Sequence, residues 1–130
     1  MAHVLGSPEE RQKFKNSLQI GDYVSLLGTV YKWEREDYEN EYGEDLNPIF
    51  INAIHLTKNG FTFDISNETL MKRAYRDNII IYWNPKTRDL TYSHGAFTGG
   101  VEKVDTMDKF QKALRLIGLI EVADNFNPNS

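Results

Sequence analysis

Hydrophobic and polar positions along the chain change period several times, and each change predicts an element. In SPEERQKFKNSL (7–18), Phe14 and Leu18 stand four apart, Ser7 and Glu10 have the spacing of a capping box, and Pro8 suits a first helical position. A short N-terminal helix is expected there. From Tyr23 to Trp33 β-branched and aromatic residues take over, with Gly28 marking a bulge or the bend between two strands. NPIFINAIHL (47–56) and FTFDIS (61–66) read as strands, and Asn59-Gly60 between them is a hairpin signal. In SNETLMKRAYRDN (66–78), Leu70, Met71, Ala74 and Tyr75 fall on one helical face behind a Ser66 or Asn67 cap, so a short middle helix is expected. IIIYW (79–83) and DLTYSH (89–94) form a hairpin through NPKTRD, with Ile79, Ile81 and Trp83 on one face and Ile80 and Tyr82 on the other. GVEKV (100–104) is a last strand. The longest helix runs from Thr106 to about Ala123, on Met107, Phe110, Ala113, Leu114 and Ile117, with Gly118 weakening or ending it.

Strands linked by hairpins and interrupted by single helices indicate an α+β domain on a small antiparallel sheet, either an SH3-like barrel or an open sheet. A chain of 130 residues is most simply one domain, 1–130, with a loop over 34–47 and a frayed tail over 124–130.

Composition narrows the function classes. With no cysteine, thiolate catalysis, disulfides and cysteine zinc sites are all excluded, which fits a reducing compartment. No apolar run approaches the roughly 20 residues of a membrane span. Residues 1–7 carry neither the basic nor the apolar region of a signal peptide. A cytoplasmic protein is expected, of a host cell or of a virion. The net charge of −4 is concentrated: Glu34, Glu36, Asp37, Glu39, Glu41, Glu44 and Asp45 face only Arg35 in their segment.

Candidate chemistry is sparse. His3, His55 and His94 are isolated in sequence, without metal-ligand spacing. His55 and Asp64 would meet across an Asn59-Gly60 hairpin, with Ser66 or Ser93 near, but no nucleophile elbow exists. Gly99-Gly100 precede a strand, so they read as a turn or bulge and not as a phosphate loop. The alternation of Asp37, Glu39 and Glu41 fails as a calcium loop, because Tyr42 stands where glycine is required. No enzyme activity, cofactor or metal is therefore expected. Carboxylates interleaved with aromatics instead suggest a protein-interaction surface of Trp33, Glu36, Asp37, Tyr38, Glu39, Glu41 and Tyr42, with Tyr31 beside them. Lys72, Arg73, Arg76, Lys86 and Arg88, with Tyr75, Tyr82, Trp83 and Tyr92, offer an alternative: a single-stranded nucleic-acid platform. A second alternative is sequestration of a nucleotide or other small ligand at the interface of a homo-oligomer.

The order LQIGDYVSLLGTVYKW, a central helix, a hairpin and then GGVEKVDTMDKFQKALRLIGL resembles a group of short proteins of gut Bacteroidetes and their phages. That group closes with a valine-rich strand leading into one amphipathic helix, which opens on Val-His-x-Leu-Gln. Here the positions read Val104, Asp105, Thr106, Met107 and Asp108. The resemblance spans about residues 18–120 and implies a phage accessory or structural protein, acting through protein contacts. It implies no catalytic residues.

Overall fold

A computed structural model describes residues 6–74 and 78–126, with Ala74 described in its backbone only. His3, Tyr75 and Arg76 lie outside the described residues. Helix α1 (Pro8–Ser17) opens as its sequence dictates: the Glu10 amide donates to Ser7 Oγ at 3.2 Å, and Pro8 sits at the start. Strands β1 (Tyr23–Leu26) and β2 (Thr29–Lys32) form a tight hairpin, with Leu27 and Gly28 both at positive φ as a type I′ turn requires. Gly28 is thus the bend between two strands. The acidic segment is not a plain loop. It folds into two 3-10 turns, Arg35–Glu39 and Gly43–Asp45, before β3 (Leu46–Asn47) returns to pair with β1.

The chain after β3 departs from several expectations. The stretch 47–56 does not form a strand. Phe50 makes one isolated bridge to Thr106, and Ala53–Lys58 is helix α2, capped by the Asn52 side chain on the His55 amide. Asn59-Gly60 therefore ends a helix and turns no hairpin. The middle helix expected over 66–78 is instead strand β5 (Thr69–Ala74), entered through a turn with Glu68 at φ 53. Leu70, Met71 and Ala74 satisfy a helical spacing, but pairing on both sides decides the conformation. β5 lies between β4 (Thr62–Asp64), which pairs with residues 69–71, and β6 (Ile79–Trp83), which pairs with residues 70–74, and the two ladders outweigh a local propensity of a few tenths of a kcal/mol per residue.

β7 (Leu90–His94) and β8 (Phe97–Val101) complete a five-stranded antiparallel meander in the order β4-β5-β6-β7-β8, separate from the three-stranded sheet β2-β1-β3. Neither sheet closes into a barrel. The open-sheet form of the α+β expectation is the one observed. Gly99 and Gly100 lie within β8 and form neither turn nor bulge; Gly95-Ala96 makes the turn.

Cross-strand register places Leu70, Trp83, Leu90 and Val101 in one row on the inner face, with Ile81 and Ile79 in the next two rows. Helix α3 (Met107–Leu116) lays Met107, Phe110, Ala113 and Leu114 on that face. Gly118, at φ 87, stops the helix, and a short α4 (Ile120–Asp124) follows. Of the tail expected to fray over 124–130, residues 127–130 lie outside the described residues, and Phe126 is buried against Phe110, ring centroids 5.5 Å apart. A second, smaller core of Leu18, Val24, Trp33 and Leu46 lies under the three-stranded sheet.

Two polar side chains of α3, Gln111 and Arg115, tie the two cores together. β3 is too short to reach Tyr23, so the Tyr23 amide donates instead to Gln111 Oε1 of α3 at 2.8 Å. Gln111 Nε2 donates to the carbonyls of Gly21, at 2.9 Å, and Ala123, at 3.3 Å. Beside it the Arg115 guanidinium pairs with the carboxylate of Asp22, which is buried. Burial pushes the Asp22 carboxyl up, while the Gln19 amide and Arg115 pull it down, leaving it above its ordinary value.

Candidate functional site

The acidic segment divides into a buried frame and an exposed face. Asp37 is only 3% exposed. Its carboxylate accepts from Tyr31 Oη at 2.7 Å, from Tyr42 Oη at 2.6 Å and from the Glu34 amide at 2.8 Å. Burial raises its pKa, but the two phenols, the amide and Lys15 outweigh that and hold it below its ordinary value. The phenols of Tyr31 and Tyr42 are pushed up in turn by their bonds to the carboxylate. Trp33 is wholly buried, with Tyr38 and Tyr42 edge-on to it at 5.5 and 6.0 Å. Trp33 and Asp37, expected as contact residues, are therefore structural. Asp37 spends its lone pairs on the fold and presents no charge to a partner.

Two further bonds fix the segment from outside. Tyr38 Oη donates to the Leu18 carbonyl at 2.6 Å, and the Lys15 ammonium donates to the Asn40 carbonyl. What remains on the surface is Glu36, Glu39 and Glu41, with Glu34, Glu44 and Asp45, the edge of Tyr38 and part of Tyr42. These carboxylates stand on or beside the two turns, whose backbone is already held in place.

The described basic candidates, Lys72, Arg73, Lys86 and Arg88, do not converge. Lys72 and Arg73 are adjacent on a strand and so point to opposite faces. The Lys72 ammonium rests over the Phe61 ring, 5.9 Å from its centroid. Arg88 donates to the Ile51 carbonyl at 3.2 Å and lies over the Trp83 ring. Lys86 is exposed, 3.8 Å from Glu68. Trp83 is core, donating its indole N–H to the Val104 carbonyl at 2.8 Å. The described part of the expected single-strand platform is thus divided between two faces and the interior.

The histidines have local roles. His55 Nδ1 accepts from the Asn52 amide at 3.2 Å, which completes the reciprocal cap of α2, and burial with Lys58 nearby lowers its pKa. Asp64 is occupied by the Ser66 amide and Asn67 and does not meet His55. His94 ends β7 and is exposed. Among the described residues no group of three or more His, Asp or Glu side chains is placed to hold a metal.

A cleft of about 420 Å³ lies between α1, the Pro48–Phe50 segment and the start of α3. Phe14 and Phe50 supply apolar walls, and Lys13, Lys109 and Lys112 supply charge. Asp108, 6% exposed, lines it too. Burial raises the Asp108 pKa above its ordinary value, Thr106 and Lys109 pull it down, and Asp22 adds to the rise. Asp108 Oδ1 and Thr106 Oγ1 have no hydrogen-bond partner of standard geometry, but both atoms are sealed from solvent and out of a ligand's reach.

Sequence reasoning missed both buried polar anchors, Asp37 and Gln111. Gln111 stands four after Met107 and three before Leu114, inside the apolar stripe of α3, and that position was the available signal. Nothing local marks Asp37 apart from its acidic neighbours. Comparison of the chain with protein-family models, with curated proteins and with solved structures finds no match. No helix is long and apolar enough to cross a membrane, among the described residues.

Proposed function

We propose that the protein works through contacts with another protein, without chemistry of its own, and that the exposed carboxylates of residues 34–45 are the contact surface. The observation that carries this reading is their scaffold. Glu36 and Glu39, on the first turn, and Glu41, in the link to the second, are exposed on a segment pinned from beneath by Asp37, Tyr31 and Tyr42 and from the side by Lys15 and Tyr38. A charged surface that is ordered before binding loses less conformational entropy on association than a flexible acidic loop does. The complementary partner is a basic protein surface, which an acidic face attracts over a distance and meets faster. A phage accessory or structural role is the setting the sequence resemblance supports.

The test replaces Glu36, Glu39 and Glu41 by glutamine and leaves Asp37 intact. A labelled oligolysine peptide and a labelled single-stranded oligonucleotide are titrated against both proteins at low and high salt. The wild type should bind the cationic peptide at low salt, lose it with added salt, and ignore the oligonucleotide. The triple variant should lose peptide binding mainly through a slower on-rate, with its unfolding midpoint almost unchanged. Binding of the oligonucleotide, or no binding of the peptide by the wild type, would overturn the reading.

A further inference from the structure

Among the described residues, strand β8 ends the large sheet with one side unpaired. Its pairing with β7 is set by the two-residue turn Gly95-Ala96, with Gly95 at φ 62, so His94–Phe97, Tyr92–Gly99 and Leu90–Val101 are the pairs that exchange hydrogen bonds. The amides and carbonyls of Thr98 and Gly100 therefore face away from the sheet. Exposed edges are usually protected by lysine, proline or a bulge. β8 has none of these. Its sequence, Phe-Thr-Gly-Gly-Val, carries no charge, and Gly99 and Gly100 leave its backbone bare. On the inner face the Tyr92 ring lies across Gly99, so close that a Cβ there would sit 2.7 Å from Tyr92 Oη.

The edge leads into a groove. Between the end of β8 and α3 lies a hollow of about 200 Å³, with Val101, Val104, Ala113 and Leu116 as its apolar lining. Val101 belongs to the inner row of the sheet, so a strand added beside β8 would direct its inward side chains across Tyr92 and into this hollow. Charge at the groove is one-sided. Lys103, Lys109 and Lys112 surround it against Glu102 alone, and Lys109 is paired with Asp105 at 3.1 Å. Lys103 and Lys112 thus leave the groove basic.

We propose that β8 is a docking edge for an extended peptide segment of another protein, apolar at alternate positions and acidic where it passes the lysines. Backbone bonds to Thr98 and Gly100 would supply the pairing. The hollow would take one inward apolar side chain, and Lys103 and Lys112 would select acidic neighbours. This site uses none of the acidic residues of the contact surface proposed above and stands independently of it.

A displayed library of random short peptides, selected on the whole folded protein, tests this. Selected peptides should alternate apolar residues and carry Asp or Glu toward one end. A selected peptide, labelled for anisotropy, should bind at least about ten-fold more weakly to Thr98→Pro, which removes an outward N–H from an edge strand where proline is tolerated. Leu116→Glu should weaken binding similarly, since Leu116 is 73% exposed and can change without disturbing the core. Far-ultraviolet circular dichroism confirms that both variants fold. Selection of peptides without this pattern, or equal binding by both folded variants, would overturn the proposal. So would a wild-type dimer in sedimentation that Thr98→Pro dissolves, because the edge would then serve a second copy of the chain.

Discussion

Replacing Gln111 with leucine sets hydrophobicity against hydrogen bonding in one site. Gln111 is fully buried, and leucine has similar volume and greater hydrophobicity, so a transfer argument alone expects a gain. The bonding argument expects a loss. Three hydrogen bonds disappear, each contributing about 1 kcal/mol net. The Tyr23 amide is then stranded beyond the end of β3, and a buried orphan donor costs about 1–3 kcal/mol. Part of that overlaps with the first sum, because Ala123 keeps another donor in the Phe126 amide. A net loss of about 3 kcal/mol is expected, the apolar gain included. Equilibrium urea unfolding measures it, followed by tryptophan fluorescence, because Trp33 reports the small core and Trp83 the large one. The expected signature is an early transition at Trp33, since the variant releases the small sheet from α3. A variant as stable as the wild type within about 1 kcal/mol would refute the reasoning, and would mean that the joint between the cores carries little energy.

Two further outcomes follow from the buried charges. Asp108→Asn should raise the unfolding midpoint at pH 7. The folded pKa lies above the unfolded one, so ionisation disfavours the folded state, with the penalty complete above the folded value and absent below the unfolded value. The gain should therefore fade as pH falls into the ordinary carboxylate range, and a variant less stable at pH 7 would show that the helix start and Lys109 outweigh burial. Arg115→Met should cost about 3 kcal/mol at neutral pH by leaving the Asp22 carboxylate buried and unpaired, and pairing it with Asp22→Asn should recover most of that in denaturant unfolding.

What was legible in the sequence is what local chemistry decides. Ser7 and Pro8 start α1 because both act within one turn. The β6–β7 hairpin is visible in IIIYW and DLTYSH, because alternation of period two needs no knowledge of the partner strand. Residues 69–74 were not legible, since TLMKRA satisfies both periods and only neighbours on each side settle it. Residues 53–58 hid a helix because the cap at Asn52 and His55 lies inside an apolar run that reads equally well as a strand. The acidic segment was legible as unusual and illegible as ordered. One carboxylate among seven is the anchor, and only the fold brings Tyr31 and Tyr42 to it. The free edge of β8 was not legible either: the sequence suggests a strand over 100–104, the observed strand is Phe97–Val101, and strand order alone shows which of its sides is bare.

The joint through Gln111 also has a consequence in time. The Tyr23 amide and its acceptor are 88 residues apart. At a synthesis rate of about 5–20 residues per second, Tyr23 is made about 4–18 s before Gln111, the side chain that takes up its amide. The meander from β4 to β8 has no such delay, because each strand pairs with the one made just before it. During elongation the large sheet can close strand by strand, while the earlier-made small sheet waits with the Tyr23 end of β1 uncovered. That interval is when the nascent chain is most open to a chaperone, or to a mistaken partner.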